Sequence, residues 1–393
     1  NIAIPELNDE SITSWVRGGD GLIGFGVYKS HIVKGAQRFQ QARSWWQEQV
    51  NSLDIHNNLH GTGTGPILFT SFSFDPSEES HLLIPQVVIG QRNGKSWITW
   101  IGAKPQPSLR SVNTTAESLD LNWSGSNGDV WQERVARAVE KIRDGELEKV
   151  VLARFVTGTS SKTINERRLL NHLAHEYPST WVYSHHGLIG ATPELLVRLN
   201  RSLVTSRVLA GTIRKTGDDE RDLALAGSLA RSSKDLEEHE YAVRSVADSL
   251  SPLCSSMNVP ESPFVLHLSN VMHLATDVTG VLVDSSSPAD IFDLADRLHP
   301  SAAVCGTPRD IASRTIDEIE GISRGRYAGP IGWIDARGDG ELGIALRCGQ
   351  ISHDKKSIRI YAGCGIVAGS DPEREYSESQ AKLLPMRTAL ERH

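Results

Sequence analysis

Residues 329–363 read GPIGWIDARGDGELGIALRCGQISHDKKSIRIYAG. Strand-forming runs there are separated by two tight turns, Gly338-Asp339-Gly340 and Asp354-Lys355-Lys356. Connections this short join antiparallel neighbours, because parallel strands need a long crossover. The first 110 residues have the same character: DGLIGFGVYKSHIV, GPILFTSFSF and LLIPQVVIGQRNGKSWITWIG are β-rich and punctuated by Gly, Asn and Pro. QRNGKSWITW reads as a hairpin turning at Asn93-Gly94, and AQRFQQARSWWQEQVNSL as a helix inserted between strands.

Residues 105–128 are rich in Ser, Pro, Asn and Thr and read as a linker or long surface loop. A helix follows, DVWQERVARAVEKIRDG, closed by Gly145, and then the strand EKVVLARFVTG. TWVYSHHGLIGATPELLVRLN reads as strands around a turn. LALAGSLARSSKDLEEHEYAVRSVADSLSPL reads as two helices broken near Ser232-Ser233. SPADIFDLADRLHP reads as a serine-capped helix with Pro288 in its first turn, stopping before Pro300. The chain closes on a helix carrying EYSESQAK. Strands at both ends with helices between predict an α+β fold, a two-layer α/β sandwich of large antiparallel sheets flanked by helices. No repeat and no low-complexity tract interrupts it.

The 393 residues suffice for a sizeable core, and a net charge of −7 without long runs of one sign gives no footprint for nucleic acid or an anionic membrane. The most apolar stretch, SPFVLHLSNVMHLATDVTGVLV, is broken by His267, Asn270, His273 and Asp277, so it is not read as a membrane span. Cys254, Cys305, Cys348 and Cys364 form no CxxC pair and are expected to be reduced thiols. NIAIPELNDESITSW has no signal-peptide pattern, and a cytoplasmic location is expected.

Several residues are candidates for chemistry. Lys149 opens KVVLARFV, a strand whose faces (Val151, Ala153, Phe155 and Val150, Leu152, Arg154) are both largely apolar. A lysine buried there must be paired or neutral, and burial moves its pKa toward that of a useful base. The plainer alternative is a strand-end lysine that reaches solvent. Glu194, in GATPELLVR, sits where a loop meets an apolar run, and suits either a helix N-terminus or a general acid. KDLEEHEYAV is a charged helix; Glu237 and Glu240 read as solvated, but periodicity does not settle which glutamate faces inward. His299 ends a helix before a proline, a place where a histidine can simply meet the helix dipole. Arg347 lies in an otherwise apolar strand and calls for a carboxylate or phosphate. YAGCGIVAGS offers the N–H groups of Gly363 and Gly365 to an anion, although GxG alone is no dinucleotide fingerprint. Glu375, Glu378 and Lys382 fall within about 60° on one helix face, as a solvated stripe or as half of a metal-and-anion site. Together these residues describe a dicarboxylate ligand, a hard divalent cation such as Mg2+, a lysine base and a glutamate acid.

EKVVLAR, GATPELLVR, LAGTIR, KDLEEHEYAV, LHPSAAVCGTPRD, YAGPIGWID, LRCG and AGCGIVAGSDPEREYSESQAK follow one another in this order. The set resembles the chorismate-utilising enzymes, specifically from about residue 130 to the end; residues 1–110 match only in being β-rich. The resemblance implies a single chorismate-binding domain over residues 1–393, with residues 130–393 bearing the motifs. It implies Mg2+ held by Glu238 and Glu378, with Glu375 holding the metal or its bound water, and substrate carboxylate held by Arg347 and Lys382 with the backbone at Gly363 and Gly365. Gly211 and Thr212 match a substrate-contacting turn, and His299, Ala303 and Tyr327 match pocket residues.

Ammonia-using members of the family typically carry glutamine at the Lys149 position. Lysine there implies activation of water for attack at C2, with Glu194 protonating the departing C4 hydroxyl: chorismate to isochorismate, with no amidotransferase subunit and a monomer as the expected state. The salicylate synthase branch, which goes on to eliminate pyruvate, typically has Thr where this chain has Ala303. That reading remains the alternative, together with a catalytically silent chorismate-binding protein. Ser301 stands where Thr is common and Cys364 where Ala is common.

Overall fold

The computed structural model describes residues 12–102, 119–125, 128–284 and 289–391. Among these, every strand pairing is antiparallel, in one eleven-stranded and one ten-stranded sheet. The first sheet runs from Gly306–Thr307 through Lys149–Thr159, Ser357–Ile366, Cys348–Ile351, Leu188–Thr192, Trp181–His185, Ile12–Arg17, Asp20–Phe25 and Val87–Arg92 to the edge strand Lys95–Trp100. The second is centred on Leu203–Arg214, flanked by Val271–Leu282 and Leu195–Asn200, and continues through Gly340–Ile344, Pro330–Asp335 and Ile67–Ser71. The N-terminal strands are threaded through both sheets: Ile12–Arg17 pairs with Trp181–His185, and Ile67–Ser71 with Pro330–Asp335.

Period-two alternation decides which core each side chain enters. Trp15, Leu22, Trp181 and Tyr183 join Trp333, Leu342 and Val197 of the second sheet in the core between the layers. Ile12, Ile23, Phe25 and Val182 face the other way, onto Leu169, Leu170 and Leu173 of helix Glu166–Glu176 and Leu383 and Met386 of helix Pro372–Glu391. The two-layer α+β expectation is the observed class.

Local expectations hold where local chemistry decides. Asn93 and Gly94 both take positive φ, 50° and 73°, as a two-residue hairpin turn requires, and Arg92 pairs with Lys95. Gly145 (φ 78°) closes helix Gly128–Arg143. Ser232 caps helix Ser233–Leu250, accepting from the Asp235 N–H.

Three expectations are corrected. The helix in SPADIFDLADRLHP spans Ile291–Leu298 and is capped by Asp290 in a reciprocal box with Asp293, not by serine; Pro288 lies outside the described residues. Most of the 105–128 segment also lies outside them, but Asn122–Gly125 is a strand paired with Lys149–Thr159. Arg347 is not within a strand. It stands between Gly340–Ile344 and Cys348–Ile351 with φ 50°, a left-handed kink that carries the chain from one sheet to the other.

Candidate active site

Five elements surround one cavity. Strand Lys149–Thr159 and its partner Ser357–Ile366 form a wall, strand Leu203–Arg214 faces them, and helices Ser233–Leu250 and Pro372–Glu391 bring charged groups to it. Its lining includes Glu194, Gly211, Thr212, Glu238, Ala303, Tyr327, Arg347, Gly363, Gly365 and Lys382. Residues from seven separate motifs therefore meet in one place.

Lys149 is fully buried behind this wall, so the solvent-reaching alternative does not apply. Its Nζ donates to the Glu238 backbone carbonyl at 3.2 Å and lies 3.7 Å from Glu238 Oε1. Burial drives its pKa down, opposed by Glu238 and Glu194. Glu238 is the inward-facing glutamate of its helix, while Glu237 and Glu240 are exposed, as read from the sequence. Burial also raises the Glu238 pKa, against the pull of Lys149.

Glu194 follows Pro193 in the link between Leu188–Thr192 and Leu195–Asn200, not at a helix start. Its carbonyl accepts from Ile344 N at 3.2 Å, which ties the link to the neighbouring strand. The side chain is buried, and desolvation pushes its carboxyl up to about 8, opposed by Lys149, Lys382 and Arg347. Near neutral pH this places a protonated acid beside a lysine biased toward its neutral form.

The glycines of YAGCGIVAGS lie in a strand. Gly363 and Gly365 lie in Ser357–Ile366, opposite Ala153 and Val151. Val151 N donates to Cys305 O and Ala153 N to Glu320 Oε1, so both residues turn their polar groups away from the glycines. Gly363 and Gly365 therefore form non-hydrogen-bonded pairs and direct their own backbone groups to the opposite edge. There the ladder with Cys348–Ile351 has already ended at Ile360, and Gly363 O accepts from Lys382 Nζ at 2.9 Å. The glycines also make room: a Cβ on Gly365 would lie 2.0 Å from Glu238 Oε1, and one on Gly363 2.9 Å from the Tyr327 hydroxyl. Tyr327 itself is held by stacking on Tyr361, centroids 4.9 Å apart.

Gly211 is a bulge within strand Leu203–Arg214 and not a turn. Pairing with Val271–Leu282 slips between Ala210 and Thr212, and Gly211 takes φ 76°. The slip aligns Thr212 with His273, which sequence reasoning noted only as an interruption of an apolar run. Arg347 Nη2 donates to His273 Nε2 at 2.9 Å, and His273 Nδ1 meets Thr212 Oγ1 at 3.0 Å. A guanidinium only donates, so His273 is neutral with its proton on Nδ1, directed at Thr212. Burial and the charges of Arg347 and Lys382 hold the His273 pKa well below its usual range. The Thr212 hydroxyl proton is then available to an acceptor in the cavity, and Arg347 Nη1 is buried without a partner.

The EYSESQAK stripe faces inward, with Glu375 buried and Glu378 and Lys382 half-buried. Glu378 Oε1 lies 2.5 Å from Lys382 Nζ, and this pair lowers the carboxyl pKa despite burial. Glu375 Oε1 lies 2.6 Å from Lys234 Nζ, while its Oε2 is buried without a partner. Burial and Glu378 push the Glu375 carboxyl up to about 7. Lys234 was not foreseen, although its spacing of four from Glu238 puts both on one helix face. His299 does not join the cavity. It is buried against Phe39 and Phe74, with Nε2 3.4 Å from Phe74 O, and desolvation lowers its pKa to about 3. Neither a pocket role nor a charged contact with the helix dipole fits that environment. All four cysteines are free thiols, and among the described residues no helix is long and apolar enough to cross a membrane.

Comparison with known proteins places this cavity in context. The family described as chorismate binding enzyme matches residues 15–391. Isochorismate synthase MenF of Bacillus subtilis (strain 168) is 31% identical over 399 residues, covering 91% of this chain and 82% of that one. Isochorismate synthase EntC of Escherichia coli (strain K12) is 31% identical over 350 residues, covering 87% and 85%. The solved structure of MenF, the menaquinone-specific isochorismate synthase from Escherichia coli, matches with a TM-score of 0.77 at 25% identity, covering 96% of this chain and 88% of that one.

Proposed function

The chain belongs to the chorismate-binding enzyme family, and on that premise we propose that it is an isochorismate synthase, an isomerase acting on chorismate. The observation that carries the reaction is the pair of opposed shifts: buried Lys149 is biased toward its neutral form while buried Glu194 keeps its proton up to about pH 8. Lys149 then takes a proton from water as its oxygen bonds to ring C2. The ring double bond shifts, and Glu194 gives its proton to the C4 hydroxyl, which leaves as water. One water enters and one departs, so the net change is isomerisation. Arg347, Thr212 and the backbone at Gly363 and Gly365 bind and orient substrate carboxylate in this reading, with Lys382 adding positive charge.

Three carboxylates, Glu238, Glu375 and Glu378, repel one another in this buried cluster, and the partnerless Glu375 Oε2 adds a donor atom to it. Hard oxygen donors of this kind fit Mg2+, which we assign to them. The ion, when bound, supplies neutralisation of substrate carboxylate. Charge supports the assignment. Lys234 and Lys382 already pair with Glu375 and Glu378, and a divalent cation entering together with dianionic chorismate adds no net charge to the cluster.

Ala303 contributes only a methyl group to the lining, which favours isochorismate over salicylate as the final product. On this proposal the chain is one chorismate-binding unit, monomeric, cytoplasmic and independent of an amidotransferase. Incubation with chorismate and Mg2+, with and without ammonium, followed by chromatography, is expected to yield isochorismate without pyruvate. Salicylate with pyruvate would move the chain to the lyase branch, anthranilate would overturn the role of Lys149, and chorismate bound but unchanged would mark a silent binder.

Gly365→Ala tests the packing behind this chemistry. The new methyl would displace the Glu238 carboxylate and press on Lys149 Cε, 3.2 Å away. Turnover is expected to fall by about 10²-fold with the circular dichroism spectrum retained. Activity near wild type would show that Glu238 need not occupy its observed position.

A further inference from the structure

Cys364 is the one soft donor in the glutamate cluster. Single ligand atoms of Cys364, Glu375 and Glu378 lie within 4.8 Å of one another, the only such group among the described residues. Cys364 is fully buried on strand Ser357–Ile366, and its thiol donates to the Glu375 backbone carbonyl at 3.3 Å. Glu375 is 1% exposed, and with Lys234 on Oε1 its Oε2 is left partnerless. Mg2+ has little use for sulfur, whereas Zn2+ and Cd2+ take thiolate and carboxylate together. Zinc bond lengths of about 2.0–2.3 Å put neighbouring tetrahedral ligands about 3.3–3.8 Å apart, so the observed spread needs only a small closure.

We propose that this cluster is also a site for a thiophilic divalent cation of the Zn2+ and Cd2+ class, held by the Cys364 thiolate with Glu375 and Glu378 in competition with Mg2+. The inference rests on reading the glutamates as a cation site, and it goes beyond that reading in assigning sulfur a role. On binding, the S–H bond breaks, the metal–sulfur bond forms and the proton passes to buffer; no electron is transferred. The thiol hydrogen bond to Glu375 O is exchanged for that bond.

The test is titration of the full chain with Cd2+, following the ultraviolet thiolate-to-metal charge-transfer band, repeated with excess Mg2+ and in Cys364→Ser and Cys254→Ser. Cys254 is the only thiol that is not buried, so its variant removes surface binding. A band that Mg2+ competes away, that survives Cys254→Ser and that disappears in Cys364→Ser is expected. Cd2+ affinity should fall by at least the about 10- to 100-fold typical of losing an outer-shell partner, because a direct ligand is removed. Mg2+ affinity, measured by calorimetry, should not fall in parallel. No band in the wild type, a band indifferent to Mg2+, or a band lost in Cys254→Ser overturns the inference, even if Cys364→Ser proves poorly folded. Chorismate turnover with Mg2+ in the same preparations separates the two readings: turnover without a band rejects only the sulfur site, and a band without turnover rejects only the synthase.

Discussion

Lys149→Ala is expected to lower chorismate turnover by about 10²–10⁴-fold, the range supplied by a positioned base. The side chain is fully buried and held by the Glu238 carbonyl. Its assigned partner is the attacking water and not the substrate carboxylate, so the loss should fall on kcat with KM changed far less. Alanine also leaves Glu238 without the amine 3.7 Å from its Oε1. Lys149→Gln, nearly isosteric and uncharged, therefore serves as the second variant. Both should retain a cooperative unfolding transition. Wild-type kcat in a folded Lys149→Gln enzyme would remove Lys149 from the role of base.

Glu194→Gln is expected to cost a similar factor and, in addition, to change how stability depends on pH. As a proton donor, Glu194 works while protonated, so wild-type kcat should fall as pH rises through about 8. The linkage has a definite sign. The folded pKa of about 8 exceeds the ordinary 4.5, so the folded chain binds this proton more tightly than the unfolded chain. The stabilisation is complete below pH 4.5 and is lost as pH climbs through 8. A shift of that size corresponds to several kcal/mol. Glutamine cannot ionise, so the variant should match or exceed wild-type stability above pH 8 while remaining inactive. Urea titrations at pH 6 and pH 9 measure this directly. Equal pH dependence in both proteins would mean that Glu194 is not the buried acid inferred from its surroundings.

Much of the fold was legible because it rests on short-range rules. Asn93-Gly94 meets the positive φ values of its turn, Gly145 ends its helix and the break at Ser232-Ser233 starts helix Ser233–Leu250, all through neighbours only a few residues away. The Asp290 cap shows the limit of such rules: serine and aspartate both cap well, and packing of Ile291 and Phe292 into the core selected the aspartate. Arg347 was placed in a strand because its neighbours are apolar. Those neighbours belong to two different sheets, and the arginine sits at the crossing.

The candidate site divides in the same way. Its residue types and their order along the chain, and hence the resemblance to chorismate-utilising enzymes, are properties of the sequence alone. So are the antiparallel grammar and the helical stripe of Glu375, Glu378 and Lys382. Tertiary structure alone decided that Glu238 faces inward, that Lys149 is shut away from solvent, that His299 belongs to the core and that His273, Lys234 and Cys364 join the cluster. The reason is physical. Protonation and metal affinity depend on burial and on charges within a few ångströms, and here those charges come from positions 89 and 141 residues apart in the chain, as Lys149 with Glu238 and Lys234 with Glu375.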